Sequence, residues 1–118
     1  MSGTSVDGVD CALVQFVGDQ PRLIATHFEP IESSLREDIL RLCSGKNIDL
    51  ELYGNTDVSI GQLFARAAIT LLANEDIERT AIRAIGSHGQ TVFHYPQGDT
   101  RFTLQIGDPN SIAQLSGI

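Results

Sequence analysis

Residues 1–10 read MSGTSVDGVD, and the apolar run Val9 to Val17 follows directly. Within it, Gly3-Thr4-Ser5-Val6-Asp7-Gly8 holds two glycines, two hydroxyls and one carboxylate. Glycine lets a backbone turn tightly and come close to a ligand. Hydroxyls and exposed amides bind phosphate oxygens, and a carboxylate holds a magnesium ion or its waters. Next to a long apolar segment, this composition reads as a phosphate-binding turn between two strands. Asp-Gly is also a common turn pair, so local chemistry alone leaves an ordinary hairpin open.

Outward from that stretch, Asp10 to Val17 (DCALVQFV) is almost continuously apolar, which predicts a strand covered on both faces. Gly18-Asp19-Gln20-Pro21 reads as a turn, and Arg22 to Phe28 as a second strand, antiparallel to the first. Ser34-x-x-Glu37 has the pattern of a capping box. Behind it Leu35, Ile39, Leu42 and Cys43 recur at helical spacing, and Gly45 is placed to stop the helix. A longer helix buries Ile60, Leu63, Phe64, Ala67, Ala68, Leu71 and Leu72 as one stripe.

Ala81 to Ile85 (AIRAI), followed by Gly86, is expected to be a central strand. Thr91 to Tyr95 and Arg101 to Ile106 form a predicted hairpin around Pro96-Gln97-Gly98-Asp99. Asp108 as N-cap and Pro109 at the first helical position start a last helix through Asn110 to Leu115. The order strand-strand-helix-helix-strand-strand-strand-helix predicts a mixed α/β layer structure without repeats or linkers.

At 118 residues, the chain is one domain or one lobe of something larger, able to bury about two thirds of its unfolded surface. Its 42% hydrophobic and 19% charged content is that of a soluble globular protein. A net charge of -7 argues against nucleic acid or an anionic membrane as partner. An acidic protein that binds phosphate needs backbone dipoles and a divalent cation to do so. Cys11 and Cys43 lie in apolar patterns and are expected to be buried free thiols. Lacking a signal peptide or a long apolar span, the sequence points to the cytoplasm. Because it opens directly on its key motif, an N-terminal extension stays open.

Two further segments carry polar chemistry. Gly86-Ser87-His88-Gly89-Gln90-Thr91 stands where the expected central strand ends, the usual ligand position in α/β sheets. Ser87, His88, Gln90 and Thr91 offer donors and acceptors suited to a hydroxyl-rich ligand, or they satisfy nearby backbone in a polar loop. In Gln105-Ile106-Gly107-Asp108-Pro109-Asn110, Asp108 and Asn110 could bind a sugar hydroxyl at a helix N-terminus. Taken alone, that segment reads more simply as a helix start.

Other motifs fail. Gly45-Lys46 lacks the upstream glycine and following hydroxyl of a P-loop, and Gly3-x-Ser5-x-Asp7 lacks the second glycine of a nucleophile elbow. His88 and His94, six apart without a nearby cysteine, do not have metal-ligand spacing, and His27 reads as a structural or surface residue.

MSGTSVDGVD, SHGQTVFH and QIGDPNSIA, in this order and at these intervals, resemble the anhydro-N-acetylmuramic acid kinase family over the whole chain. The resemblance implies the N-terminal lobe of an actin/hexokinase-like (ribonuclease H-like) ATP-binding fold: α/β, with a mixed five-stranded-type sheet and flanking helices, incomplete at both ends. It implies an ATP-dependent kinase that opens the ring of 1,6-anhydro-N-acetylmuramic acid with water and phosphorylates the 6-hydroxyl.

By position, Gly3, Thr4, Ser5, Val6, Asp7, Gly8, Val9 and Asp10 match the family's ATP-binding segment. Gly3, Thr4 and Ser5 would face the phosphates, and Asp7 would lie near magnesium, through water. The SHGQT match would place His88, Gln90 and Thr91 around the sugar, with Asp108 at the edge of the same cleft.

The family is expected to be about three times longer, so residues 1–118 are the N-terminal part of a two-lobed sugar kinase whose second lobe is absent. The catalytic base, an aspartate, is expected in that missing part, as are the second phosphate segment and adenosine pocket. No catalytic residue is therefore assigned within the chain, and the isolated chain is expected to be inactive. A homodimer is implied for the longer protein. Levoglucosan kinase shares GTS-x-DG and SHGQT, while QIGD favours the muramic reading. A non-catalytic truncated lobe is a third reading, and a serine hydrolase on Ser5 or Ser87 has no matching elbow.

Overall fold

The computed structural model describes Gly3 and residues 5–118. Strand β1 (Gly8–Val17) pairs antiparallel with β2 (Gln20–Pro30). Gly18, at φ 62, supplies the left-handed residue of the turn between them. Gly8 lies opposite Pro30 and Val17 opposite Gln20, with a register shift between Leu13 and Val14. Both strands are as expected, with β2 longer at each end. No strand precedes Gly8 among the described residues, so Asp7-Gly8 is not the turn of a hairpin there.

Burial on β1 departs from expectation. Val9 is buried and Cys11 and Leu13 are partly covered, but Phe16 is 70% and Val17 64% exposed. The second helix packs against this sheet, and the described residues supply no layer that covers the distal half of β1.

Helix α1 (Ser33–Ser44) starts one residue before the expected capping box. Glu32 is its N-cap without a side-chain cap bond, and Ser34 falls inside the first turn. Ile31 is buried and its amide donates to the Asp7 carbonyl at 3.0 Å, which fixes where the chain leaves β2. Gly45 ends the helix in the left-handed conformation (φ 68), as expected.

Helix α2 (Leu50–Asn74) is capped by the Asp49 side chain, which accepts from the Leu52 amide at 2.7 Å. Its predicted apolar stripe is buried from Ile60 to Leu72. One core joins Ile39 and Leu42 of α1 to Ile60, Leu63 and Phe64 of α2, and to Val6, Val9, Val92, Ile106 and Ile112.

A 3-10 turn (Arg79–Ala81) follows α2. The expected strand at Ala81–Ile85 is not formed: residues 82–89 carry no ladder pairing among the described residues. Ile82 has extended dihedrals (φ -94, ψ 127), but a strand exists only with a partner, and neither sheet offers one here. Strands β3 (Gln90–Tyr95) and β4 (Phe102–Ile106) form the expected second hairpin. Helix α3 (Pro109–Ser116) begins on Asp108 and Pro109, also as expected.

Among the described residues the architecture is thus α/β, with three α-helices and two separate two-stranded antiparallel sheets. The described residues do not themselves make a five-stranded sheet. Both cysteines are free, Cys11 partly covered and Cys43 exposed, which corrects the burial expected for Cys43. Burial pushes both thiols up from their ordinary range. No helix of the described residues is long and apolar enough to cross a membrane.

Candidate functional site

The N-terminal turn is held in an uncommon shape. Val6 has φ 51, a left-handed conformation that costs a β-branched residue energy. Its amide donates to the Gly3 carbonyl at 3.3 Å, and its side chain is buried in the core. Arg36 of α1 reaches back, donating from Nε to the Val6 carbonyl at 3.0 Å and from Nη2 to the Ser5 carbonyl at 3.3 Å.

Next to it, the Ser5 hydroxyl donates to Asp7 Oδ1 at 2.7 Å. That bond first, together with the amides of Asp7 and Gly8, holds the Asp7 carboxyl below its ordinary range. The Ser5 hydroxyl is therefore already turned toward an anionic group. Gly3, Ser5, Asp7 and Asp10 are exposed, whereas Gly8 and Val9 are buried. A β-carbon at Gly8 would run into the Phe28 ring and stand 2.8 Å from the Glu29 carbonyl oxygen. Thr4 lies outside the described residues.

The other two motifs meet each other. Gln90 pairs with Ile106 and Thr91 with Gln105 across the β3–β4 ladder. Gly89 adopts φ 73 against the Ile106 carbonyl, where only glycine fits. Gly107, at φ 129, lies so close that its β-carbon would stand 3.4 Å from the Gly89 Cα. Ser87 Oγ accepts from the Gly89 amide at 3.1 Å.

Gln90 is 3% exposed. Its Nε2 donates to the Thr91 carbonyl at 3.1 Å, while Oε1 is buried without a hydrogen-bond partner among the described residues. A buried acceptor left unpaired is costly and calls for a donor. His88 and Thr91 are exposed beside it.

Asp108 acts as a cap. Its Oδ2 accepts from the Ser111 amide at 2.9 Å and hydroxyl at 2.6 Å, and Oδ1 accepts from Asn110. The Ser111 hydroxyl is the leading cause that holds this carboxyl below its ordinary range. Both oxygens are engaged by the first turn of α3.

Arg36 and Asp57 escaped the sequence reading. The amide of Gly107 donates to Asp57 Oδ1 at 2.6 Å, and that of Asp108 to the Asp57 carbonyl at 3.1 Å. The available signal was Asp57-x-x-x-Gly61, an aspartate and a glycine one turn apart inside a helix that neither favours. At Gly61, a β-carbon would stand 2.6 Å from the Asp108 carbonyl oxygen, so α2 touches backbone there.

The turn and the paired motifs rest on one core, Val6 and Val9 at one part and Val92 and Ile106 at another. Two clefts lie elsewhere. One of about 250 Å³ runs between α1 and α2 past Ser34, Asp38 and Arg66. The other, about 440 Å³ and open, is at the hairpin tip beside Tyr95, Arg101 and Phe102. Among the described residues no three His, Cys, Asp or Glu side chains converge to hold a metal ion.

A family model described as anhydro-N-acetylmuramic acid kinase matches residues 1–118. A protein of that name from Shewanella sp. (strain ANA-3) is 55% identical over 118 residues, covering 100% of this chain and 32% of its own length. One from Coxiella burnetii (strain Dugway 5J108-111) is 50% identical over 118 residues, covering 100% of this chain and 31% of its own length. The chain spans about a third of the length of the curated relatives it matches. It belongs to the anhydro-N-acetylmuramic acid kinase family.

Proposed function

We propose that this chain is the N-terminal part of an ATP-dependent kinase that opens 1,6-anhydro-N-acetylmuramic acid with water and phosphorylates its 6-hydroxyl. The product is N-acetylmuramic acid 6-phosphate, in cell-wall recycling. The observation that carries this reading is the family match across residues 1–118 at 50–55% identity to the relatives of that name.

Gly3 to Asp10 bind the nucleotide phosphates, and Asp7 holds magnesium through water. The Ser5 hydroxyl, which donates to the Asp7 carboxylate, supports this, because such a donor also suits a phosphate oxygen. Val6 and Val9 contribute backbone alone, since their side chains fill the core. Magnesium-ATP, when bound, supplies the phosphoryl group. The chain's own part is to orient it and stabilise its charge.

His88, Gln90 and Thr91 bind the sugar, with Asp108 at the edge of the site. The exposed His88 and Thr91, beside a Gln90 whose buried Oε1 has no partner among the described residues, support this. The base that activates water lies in the rest of the longer protein. There, the sheet of an actin/hexokinase-like lobe is completed to five strands. That protein is a cytoplasmic homodimer, and its second lobe closes the cleft. The 118 residues alone neither close a cleft nor turn over substrate.

Turnover by the full-length protein, with magnesium-ATP and either 1,6-anhydro-N-acetylmuramic acid or levoglucosan, tests the proposal. Phosphorylation of the muramic sugar is expected. Preference for levoglucosan, or no turnover of either, overturns the substrate. Kinase activity of residues 1–118 alone overturns the claim that one lobe is insufficient, and calorimetry on the same piece reads its residual ATP and sugar binding.

A further inference from the structure

The geometry points to Asp57 as a positioning residue for the sugar site, an inference that rests on the proposed kinase reading. Aspartate is a poor residue for a helix interior, yet Asp57 sits within α2, partly buried. Its carboxylate accepts from the Gly107 amide at 2.6 Å, a bond strengthened by the charge of the acceptor. Its carbonyl accepts from the next amide, that of Asp108, at 3.1 Å.

The same face of α2 closes on this turn. Ile60 Cγ2 would lie 3.2 Å from a β-carbon at Gly107, and Gly61 admits the Asp108 backbone where any side chain would collide. A β-carbon at Gly107 would also stand 3.4 Å from the Gly89 Cα, and Ile106 pairs with Gln90, whose Oε1 has no partner among the described residues. A short path of contacts therefore runs from the Asp57 carboxylate through Gly107 to the backbone of Gly89 and Gln90. Asp57 sets where the end of β4 stands, and through it where Gln90 presents its amide. The N-terminal turn is held separately, by Arg36.

The test uses the full-length protein with Asp57→Ala and Asp57→Asn. Asparagine keeps an oxygen that can accept from Gly107, and alanine does not. Asp57→Ala is expected to raise KM for the anhydrosugar between about tenfold and about a hundredfold, as small misplacements do, with KM for ATP unchanged. Asp57→Asn is expected to restore most of the loss. Amide hydrogen exchange is expected to quicken in Asp57→Ala at Gly107, Gly89 and Gln90, and not at Gly8 or Val9.

Equal loss in both KM values with a lowered Tm would mean a general structural role and overturn the inference. Failure of Asp57→Asn to rescue, or unchanged exchange at Gly89 and Gln90, also overturns it. If the unsubstituted protein turns over neither sugar, the kinase reading fails. Exchange at Gly89 and Gln90 then still decides whether Asp57 positions them.

Discussion

Arg36 and Val6, 30 residues apart, are joined by a 3.0 Å hydrogen bond from the guanidinium to a carbonyl. The bond secures a valine in the left-handed conformation (φ 51) at the centre of the candidate phosphate turn. A helix that belongs to neither motif thereby sets the shape of one of them.

Replacing Arg36 by alanine is expected to loosen that turn. A hydrogen bond from a charged group contributes about 1.5–3 kcal/mol, and the lower figure corresponds to roughly tenfold faster exchange of the Val6 amide. Arg36→Lys should recover little, since an ammonium is a point charge rather than a planar fork. Exchange measured by NMR checks this, and an unchanged Val6 amide would show that the turn holds itself.

Gly89→Ala is expected to be the most damaging single methyl in the chain. It forces φ 73 on a residue with a β-carbon and drives that carbon into the Ile106 carbonyl. The dihedral alone costs about 1–2 kcal/mol, and the β3–β4 register must shift as well. Urea unfolding should show a lowered midpoint. A midpoint within error of the parent would mean that the motif glycine is not a packing requirement.

Ile60 is completely buried and stands against Gly107. Ile60→Ala is expected to lower stability by about 2–5 kcal/mol, the range for emptying a packed core position. Thermal unfolding checks the magnitude. A loss well below that range would show that α2 and the β4–α3 turn close up over the space.

Acid is expected to destabilise the fold through Asp7, Glu29 and Asp108. Glu29 is held below its ordinary 4.5 first by its bond from His27 and then by Arg66, and Asp108 below its ordinary 3.8 by Ser111. A depressed folded value means that the unfolded chain binds more protons in this range, so stability rises with pH there. The contribution is complete above the ordinary values and is lost as pH falls through the folded ones. Tm measured between about pH 6 and about pH 3 should fall, and Asp108→Asn should flatten part of that fall. An identical pH slope in Asp108→Asn would remove Asp108 from the explanation.

Much of this was legible in the residues. The α2 stripe, the Gly45 stop, the Pro96–Asp99 hairpin and the Asp108-Pro109 helix start all rest on local rules of spacing and capping, and all are present. The three motifs likewise identified the family. The Ser34 capping box failed because the Ile31 amide is tied to Asp7 and sets the path into α1. AIRAI failed as a strand because apolar, extended residues still need a partner's ladder.

By itself, then, the sequence determined most of the elements, the chemistry of the three motifs and the family they belong to. Those properties depend on residue type and short-range spacing. Only the tertiary structure decided that SHGQ and QIGD share one backbone contact at Gly89 and Gly107, that Gln90 buries an unpaired oxygen, and that Arg36 and Asp57 hold the two halves. Such contacts join residues far apart in the chain. They depend on how helices pack against turns, which no local pattern encodes.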